Sequence, residues 1–113
     1  MSELATHMSH PVQEERVELA IQHQFRSHMD VVRGIHFVSE IESLVTVSED
    51  CTVKLWSLKG LEVDAEPYVT LRGHTGPLFA VAGGHPQHKR VVFTAGSEGS
   101  IRVWSLPGIG DVN

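Results

Sequence analysis

The stretch "TVKLWSL", Thr52 to Leu58, returns as "SIRVWSL", Ser100 to Leu106, and this repeat constrains the fold more than any other property of the chain. Setting "FRSHMDVVRGIHFV" (Phe25 to Val38) above "LRGHTGPLFAVAGG" (Leu71 to Gly84) places His28 on His74 at an offset of 46 residues. Setting "LVTVSEDCTVKLWSL" (Leu44 to Leu58) above "VFTAGSEGSIRVWSL" (Val92 to Leu106) places Thr46 on Thr94, Asp50 on Glu98 and Trp56 on Trp104 at an offset of 48. The two additional residues of the second copy fall in "HPQHKR", and insertions of this kind belong in surface loops.

Each copy has the pattern of short strands. Val32 to Phe37, Leu44 to Val47 and Thr52 to Ser57 are rich in β-branched and aromatic residues and are separated by Ser, Glu, Asp or Gly. The matching runs of the second copy are Leu78 to Ala82, Val91 to Ala95 and Ser100 to Ser105, and Pro67 to Arg72 supplies a fourth strand between the copies. The acidic "GLEVDAE" before it reads as a solvated connector. Several short strands at roughly 8 to 12 residue spacing indicate an all-β sandwich, barrel or propeller.

The repeat selects among these. A period near 46, with Gly/Ser-His at one end and a strand ending in Trp at the other, resembles the blades of WD-repeat β-propellers. "LRGHTGPL" and "GSIRVWSL" are close to that family's words, whereas "RSHMD" and "KLWSL" are looser versions; Ser57 and Ser105 stand where the family commonly has Asp. The expected fold is therefore all-β, a partial WD-repeat propeller with one complete four-stranded blade and three strands of a second. Residues 1–20 are expected to be helical or disordered, 21–106 to hold two repeats (blade one about 31–72, incomplete blade two about 77–106), and 107–113 to form a tail. Pro11 and the Glu14–Glu15 pair suit the start of a short helix reaching about Ala20. Beyond it Leu19, Ile21, His23 and Phe25 alternate as in a strand, which would be the outer strand of a preceding blade or the closing strand of an open ring.

The resemblance also implies a role for the matched polar residues. In WD repeats the Trp indole N–H donates to a Ser/Thr hydroxyl, the hydroxyl donates to a His ring, and the second ring nitrogen donates to Asp. Carried over, these residues are His28, Thr46, Asp50 and Trp56 in the first copy and His74, Thr94, Glu98 and Trp104 in the second. Burying an indole or imidazole costs free energy unless its hydrogen bonds are made, which gives the network its purpose. Glu98 is one methylene longer than Asp, so the second network is expected to be strained or rewired and its blade the weaker. The competing reading is a catalytic triad with Thr46 as nucleophile, His28 as base and Asp50 as its partner. Recurrence of the set, each time with a Trp six residues after the acid, favours structure over a small hydrolase.

More particular words, "FRSHMDVVRGIHF", "LVTVSEDCTVKLWSL" and above all "DAEPYVTLRGHTGPLFAV", resemble the first WD repeats of striatins over about residues 24–106, with the likeness weakening after Gly83. Striatins are non-catalytic scaffolds that gather a phosphatase core, kinases and adaptors. The phosphatase-binding coiled coil of that family has no counterpart in the heptad pattern of this chain, so phosphatase binding does not carry over. The expected function is a non-enzymatic interaction scaffold fragment for signalling assemblies, cytoplasmic, with other proteins as partners; the alternative is a truncated paralogue or fragment with no independent function.

Other features point to few further chemistries. A net charge of −5 with scattered Lys and Arg argues against nucleic acid, and no apolar run is long enough to span a membrane. The single Cys51 permits no internal disulfide and has no basic neighbour to activate it. "HPQH", His85 to His88, has two imidazoles at a spacing that some metal sites use, but it lies in the inserted loop without Cys or carboxylate beside it and reads as a surface turn. No metal or cofactor is expected. Arg33 and Glu49 in the first blade, and Phe79 and Ser97 in the second, are the candidate partner-binding residues at the loop rim, with Arg33 and Phe79 first because Arg and aromatics are enriched at hot spots. Two blades leave both outer sheet faces bare, so association, including self-association through those faces, is expected in place of a cooperatively folded monomer.

Overall fold

The computed structural model describes residue 20, residues 23–59 and residues 66–112. The described residues form seven antiparallel strands in two sheets. In the first sheet β1 (Val32–Val38), β2 (Ser43–Ser48), β3 (Val53–Ser57) and β4 (Val69–Leu71) lie in sequence order, and in the second β5 (Leu78–Ala82), β6 (Val91–Gly96) and β7 (Ile101–Ser105) do the same. This is the all-β, partial-propeller arrangement that the repeat predicts, with strands starting and ending within two residues of the β-branched runs. The proposed N-terminal helix and most of the acidic connector lie outside the described residues.

The register makes the repeat exact at the level of pairs. Ile35 opposes Thr46 as Val81 opposes Thr94, Leu44 opposes Trp56 as Val92 opposes Trp104, and Val47 opposes Val53 as Ala95 opposes Ile101. Both inner strands also shift register at the same place, at Arg33 and at Phe79. A bulge re-aims the side chain at that position.

Alternation gives each sheet two faces. On the first sheet, Gly34, His36, Val45, Val47, Val53 and Leu55 face the second sheet, whose Val81, Val92 and Trp104 meet them. Val38, Ile41, Val45, Val47, Val53, Leu55, Leu78, Val92 and Leu106 form one buried cluster, with Tyr68, Val69 and Leu71 packed against it. Gly34 permits the approach of the sheets: a Cβ there would lie 3.1 Å from Val47 Cγ2 and 3.2 Å from Val81 Cγ1.

The segment after β7 ties the two sheets together at the end of the core. Tyr68 Oη lies 2.6 Å from Ser43 Oγ and 3.0 Å from the Pro107 carbonyl oxygen, and Ser43 Oγ lies 2.9 Å from the Ile41 carbonyl oxygen, so the two hydroxyl protons are shared among three contacts. Burial pushes the Tyr68 phenol above its usual range, against the hydrogen bond to Ser43. Beyond Pro107, Asp111 accepts from the Gly108 amide and from Arg90, each at 2.9 Å, and these bonds hold its carboxyl below the usual range.

The alternation of His23 and Phe25 does not produce a strand: residues 23–28 have no ladder partner among the described residues. A strand needs a neighbouring edge, and the first sheet already has β4 on its outer edge. Phe25 instead lays its ring against Trp56, with centroids 5.1 Å apart.

Candidate functional site

Two hydrogen-bond chains of matching order, one ending on Asp50 and the other on Glu98, cross the two sheets. In the first, β2 presents Thr46 and β3 presents Trp56, so that Trp56 Nε1 donates to Thr46 Oγ1 at 2.9 Å. His28 reaches in from the segment before β1, with Nε2 2.6 Å from Thr46 Oγ1 and Nδ1 2.9 Å from Asp50 Oδ2. Asp50 sits in the β2–β3 turn and accepts in addition from the Met29 amide, the Thr52 amide and the Thr52 hydroxyl, at 2.9, 2.9 and 2.6 Å. Burial opposes charge on Asp50, but the bonds from the Thr52 hydroxyl, the Met29 amide and His28 outweigh it and hold the carboxyl well below the usual carboxylate range. An ionised carboxylate only accepts, so His28 Nδ1–H donates to Asp50 and Nε2 accepts the Thr46 proton.

The second chain is built alike. Trp104 Nε1 donates to Thr94 Oγ1 at 2.8 Å, His74 Nε2 lies 2.7 Å from Thr94 Oγ1, and His74 Nδ1 lies 2.5 Å from Glu98 Oε1. The longer side chain of Glu98 is accommodated: its first oxygen takes His74 and the Thr75 amide, and its second turns toward Arg102 at 3.6 Å. The hydrogen bond from His74 is the main reason its carboxyl lies below the usual range. The hydroxyl of Ser100, where the first copy has Thr52, is buried and makes no hydrogen bond of good geometry among the described residues. Trp104 is half-buried whereas Trp56 is buried.

Nothing in these chains is poised as a triad. Thr46 is buried, and its oxygen both accepts from an indole and bonds the His ring, leaving no approach for a reacting carbonyl.

The residues chosen for the rim also occupy matched places. Arg33, at the first bulge, pairs through its guanidinium with Glu49. The second sheet has Phe79 and Ser97 at the corresponding positions, so an ion pair is replaced by an exposed ring and a hydroxyl set against Gly76. The His85 and His88 rings lie with centroids 4.8 Å apart and planes tilted by 43°, and no group of three metal-ligating side chains forms among the described residues. No helix among the described residues is long and apolar enough to cross a membrane. The signal that sequence reading passed over is the Ser43–Tyr68–Pro107 link, which has no counterpart in the second copy.

Comparison with known proteins gives this duplicated geometry its family. The family model "WD domain, G-beta repeat" matches residues 20–57 and again residues 65–105, one match for each copy of the His–Thr–acid–Trp set. The chain belongs to the WD-repeat family. Among WD-repeat proteins it is similar to a striatin homolog of Dictyostelium discoideum, 36% identical over 76% of this chain and 12% of the relative. It is likewise similar to human striatin-4, 35% identical over 74% of this chain and 12% of the relative, and to bovine striatin-3, 36% identical over 76% of this chain and 11% of the relative. The chain thus spans about an eighth of the length of these relatives. In a WD repeat the first match begins ahead of β1, which places the His23–His28 segment within the repeat although it is unpaired here.

Proposed function

We propose that this chain is a non-enzymatic protein-interaction module of the striatin type, cytoplasmic, that contributes binding surface to a signalling assembly. The observation that carries the reading is the complete use of the polar side chains in both braces: each hydroxyl, ring nitrogen and indole N–H is spent within the set. Such a brace fixes the strand-connecting loops against the sheet, and binding residues are found on loops held by a rigid scaffold. Similarity to striatins supports a scaffold role. The contact residues are Arg33 with Glu49 and Phe79 with Ser97, two chemically different rims on equivalent backbones.

The test is affinity capture with the immobilised chain against a double variant, Arg33→Glu with Phe79→Asp, with the retained proteins identified by mass spectrometry. A defined set that is lost in the variant, while the variant keeps its circular dichroism spectrum, is the expected result. An identical set on both chains, or none beyond that on an unrelated bead-bound protein, would overturn the assignment of the rim.

A further inference from the structure

The first sheet has one broad apolar face, and the second sheet covers it; the second sheet has the same face, and nothing among the described residues covers that one. Val45, Val47, Val53 and Leu55 are 0% exposed. Three residues in their register positions, Phe93, Ile101 and Val103, are 39%, 70% and 61% exposed. On the opposite end of the stack, Ile35 and Phe37 of β1 point away from the second sheet and are 66% and 50% exposed.

These two surfaces match in register; on the first sheet Ile35 and Phe37 are exposed, while Thr46, Lys54 and Trp56 beside them are buried. The face by which the second sheet packs on the first is made of Val81, Val92, Thr94, Arg102 and Trp104. The outward face of the first sheet has Ile35, Leu44, Thr46, Lys54 and Trp56 in the same register. The exchanges across the two contacts also compensate. Within the chain, Gly83 lies against His36, where an added Cβ would be 2.7 Å from His36 Nε2. The equivalent pair between copies would be Phe37 on Ala82, a large residue over a small one in place of a small residue over a large one.

A second match concerns the sheet edge. β4 closes the first sheet through Val69–Leu55, Thr70–Lys54 and Leu71–Val53, and Lys54 Nζ donates to Thr70 Oγ1 at 3.1 Å. β7 has no outer neighbour among the described residues. The segment that stands to "RSH" as β4 stands to "RGH" is His23–Gln24–Phe25, itself unpaired. Shifted by the repeat, His23 falls opposite Val103, Gln24 opposite Arg102 and Phe25 opposite Ile101. Arg102 occupies the position of Lys54, and its buried Nε has no hydrogen-bond partner among the described residues.

We propose that the outer face of the second sheet receives a second copy of this chain, head to tail. Ile35 and Phe37 of the copy lie over Ala80, Ala82 and Phe93, and its residues 23–25 add an antiparallel strand to β7. The Gln24 side chain of the copy accepts from Arg102. This interface is separate from the loop rim and does not depend on the partner assigned to it. A heterologous contact of this kind repeats until the rotation closes.

The experiment is sedimentation velocity of the 113-residue chain over a range of concentrations, beside the variant Ile101→Lys with Val103→Lys, whose altered side chains are exposed. The parent chain is expected to sediment as a discrete oligomer and the variant as monomer with its strand spectrum retained. In parallel, two Cys51→Ser chains, one carrying His23→Cys and the other Val103→Cys, are mixed and oxidised. Directly opposed cross-strand residues lie within disulfide reach, so a mixed dimer should dominate over either homodimer. A monomeric parent chain at every concentration, an oligomer indifferent to the two lysines, or disulfides formed only between like chains would each overturn the proposal.

Discussion

Cys51 adopts in the β2–β3 turn the left-handed backbone conformation that Gly99 adopts in the β6–β7 turn, with φ of 75° and 85°. Both residues follow the carboxylate of a brace, so the same turn is required whichever residue supplies it. For a side chain with a Cβ the left-handed region costs roughly 1 to 2 kcal/mol, and glycine loses about 0.5 to 1 kcal/mol of that advantage through unfolded-state entropy. Cys51→Gly is therefore expected to stabilise the fold by about 0.5 to 1 kcal/mol. Gly99→Ala, where an added Cβ meets nothing within 4 Å, is expected to destabilise it by a similar amount. Urea midpoints of the two variants against the parent chain check both signs.

Thr46→Val removes the hydroxyl that serves Trp56 and His28 at once. Two buried groups left unpaired at roughly 1 to 3 kcal/mol each give an expected loss of about 2 to 6 kcal/mol, and Thr46→Ser should restore most of it. Thr94→Val should cost less, because Trp104 is half-buried and can turn its N–H to water. Denaturant titration measures the difference; a hydrolase would instead lose turnover in Thr46→Ala and keep its stability.

Acid should weaken the first brace in a defined direction. The folded Asp50 carboxyl titrates below its ordinary value of 3.8, so the folded state binds fewer protons than the unfolded chain as pH falls. The stabilisation is present above the unfolded value and is lost as pH falls through it toward the folded one; Glu98, also lowered, acts with the same sign. The urea midpoint should fall below about pH 5, and Asp50→Asn should be less stable near neutrality with a flatter acid limb.

Tyr68→Phe cuts the link between the first sheet and the segment after β7, leaving the Pro107 carbonyl without the phenol. Ser43 keeps its bond to Ile41, so the expected cost is about 1 kcal/mol, that of one hydrogen bond. Hydrogen exchange should accelerate at the Leu106, Gly108 and Asp111 amides while β2 and β3 stay protected.

Much of this was legible in the chain because it is local. The β-branched runs, the spacing of Asp50 from Trp56 and the offsets of 46 and 48 residues are periodicities, and periodicity survives without knowledge of what packs where. The same reasoning misplaced the segment at Phe25, whose alternation suits a strand but which has no sheet edge beside it among the described residues. Glu98 looked like a flaw by its length alone; in the fold a second oxygen directed at Arg102 makes room for the extra methylene.

The sequence by itself determined the two copies, the strands within them and the polar residues to be brought together. Only the tertiary structure decided which face of each sheet is covered. Val53 and Ile101 are both apolar, sit at the same register and alternate identically, yet one is wholly buried and the other 70% exposed. Burial is a property of the neighbour across the interface, and that neighbour is set by non-local packing.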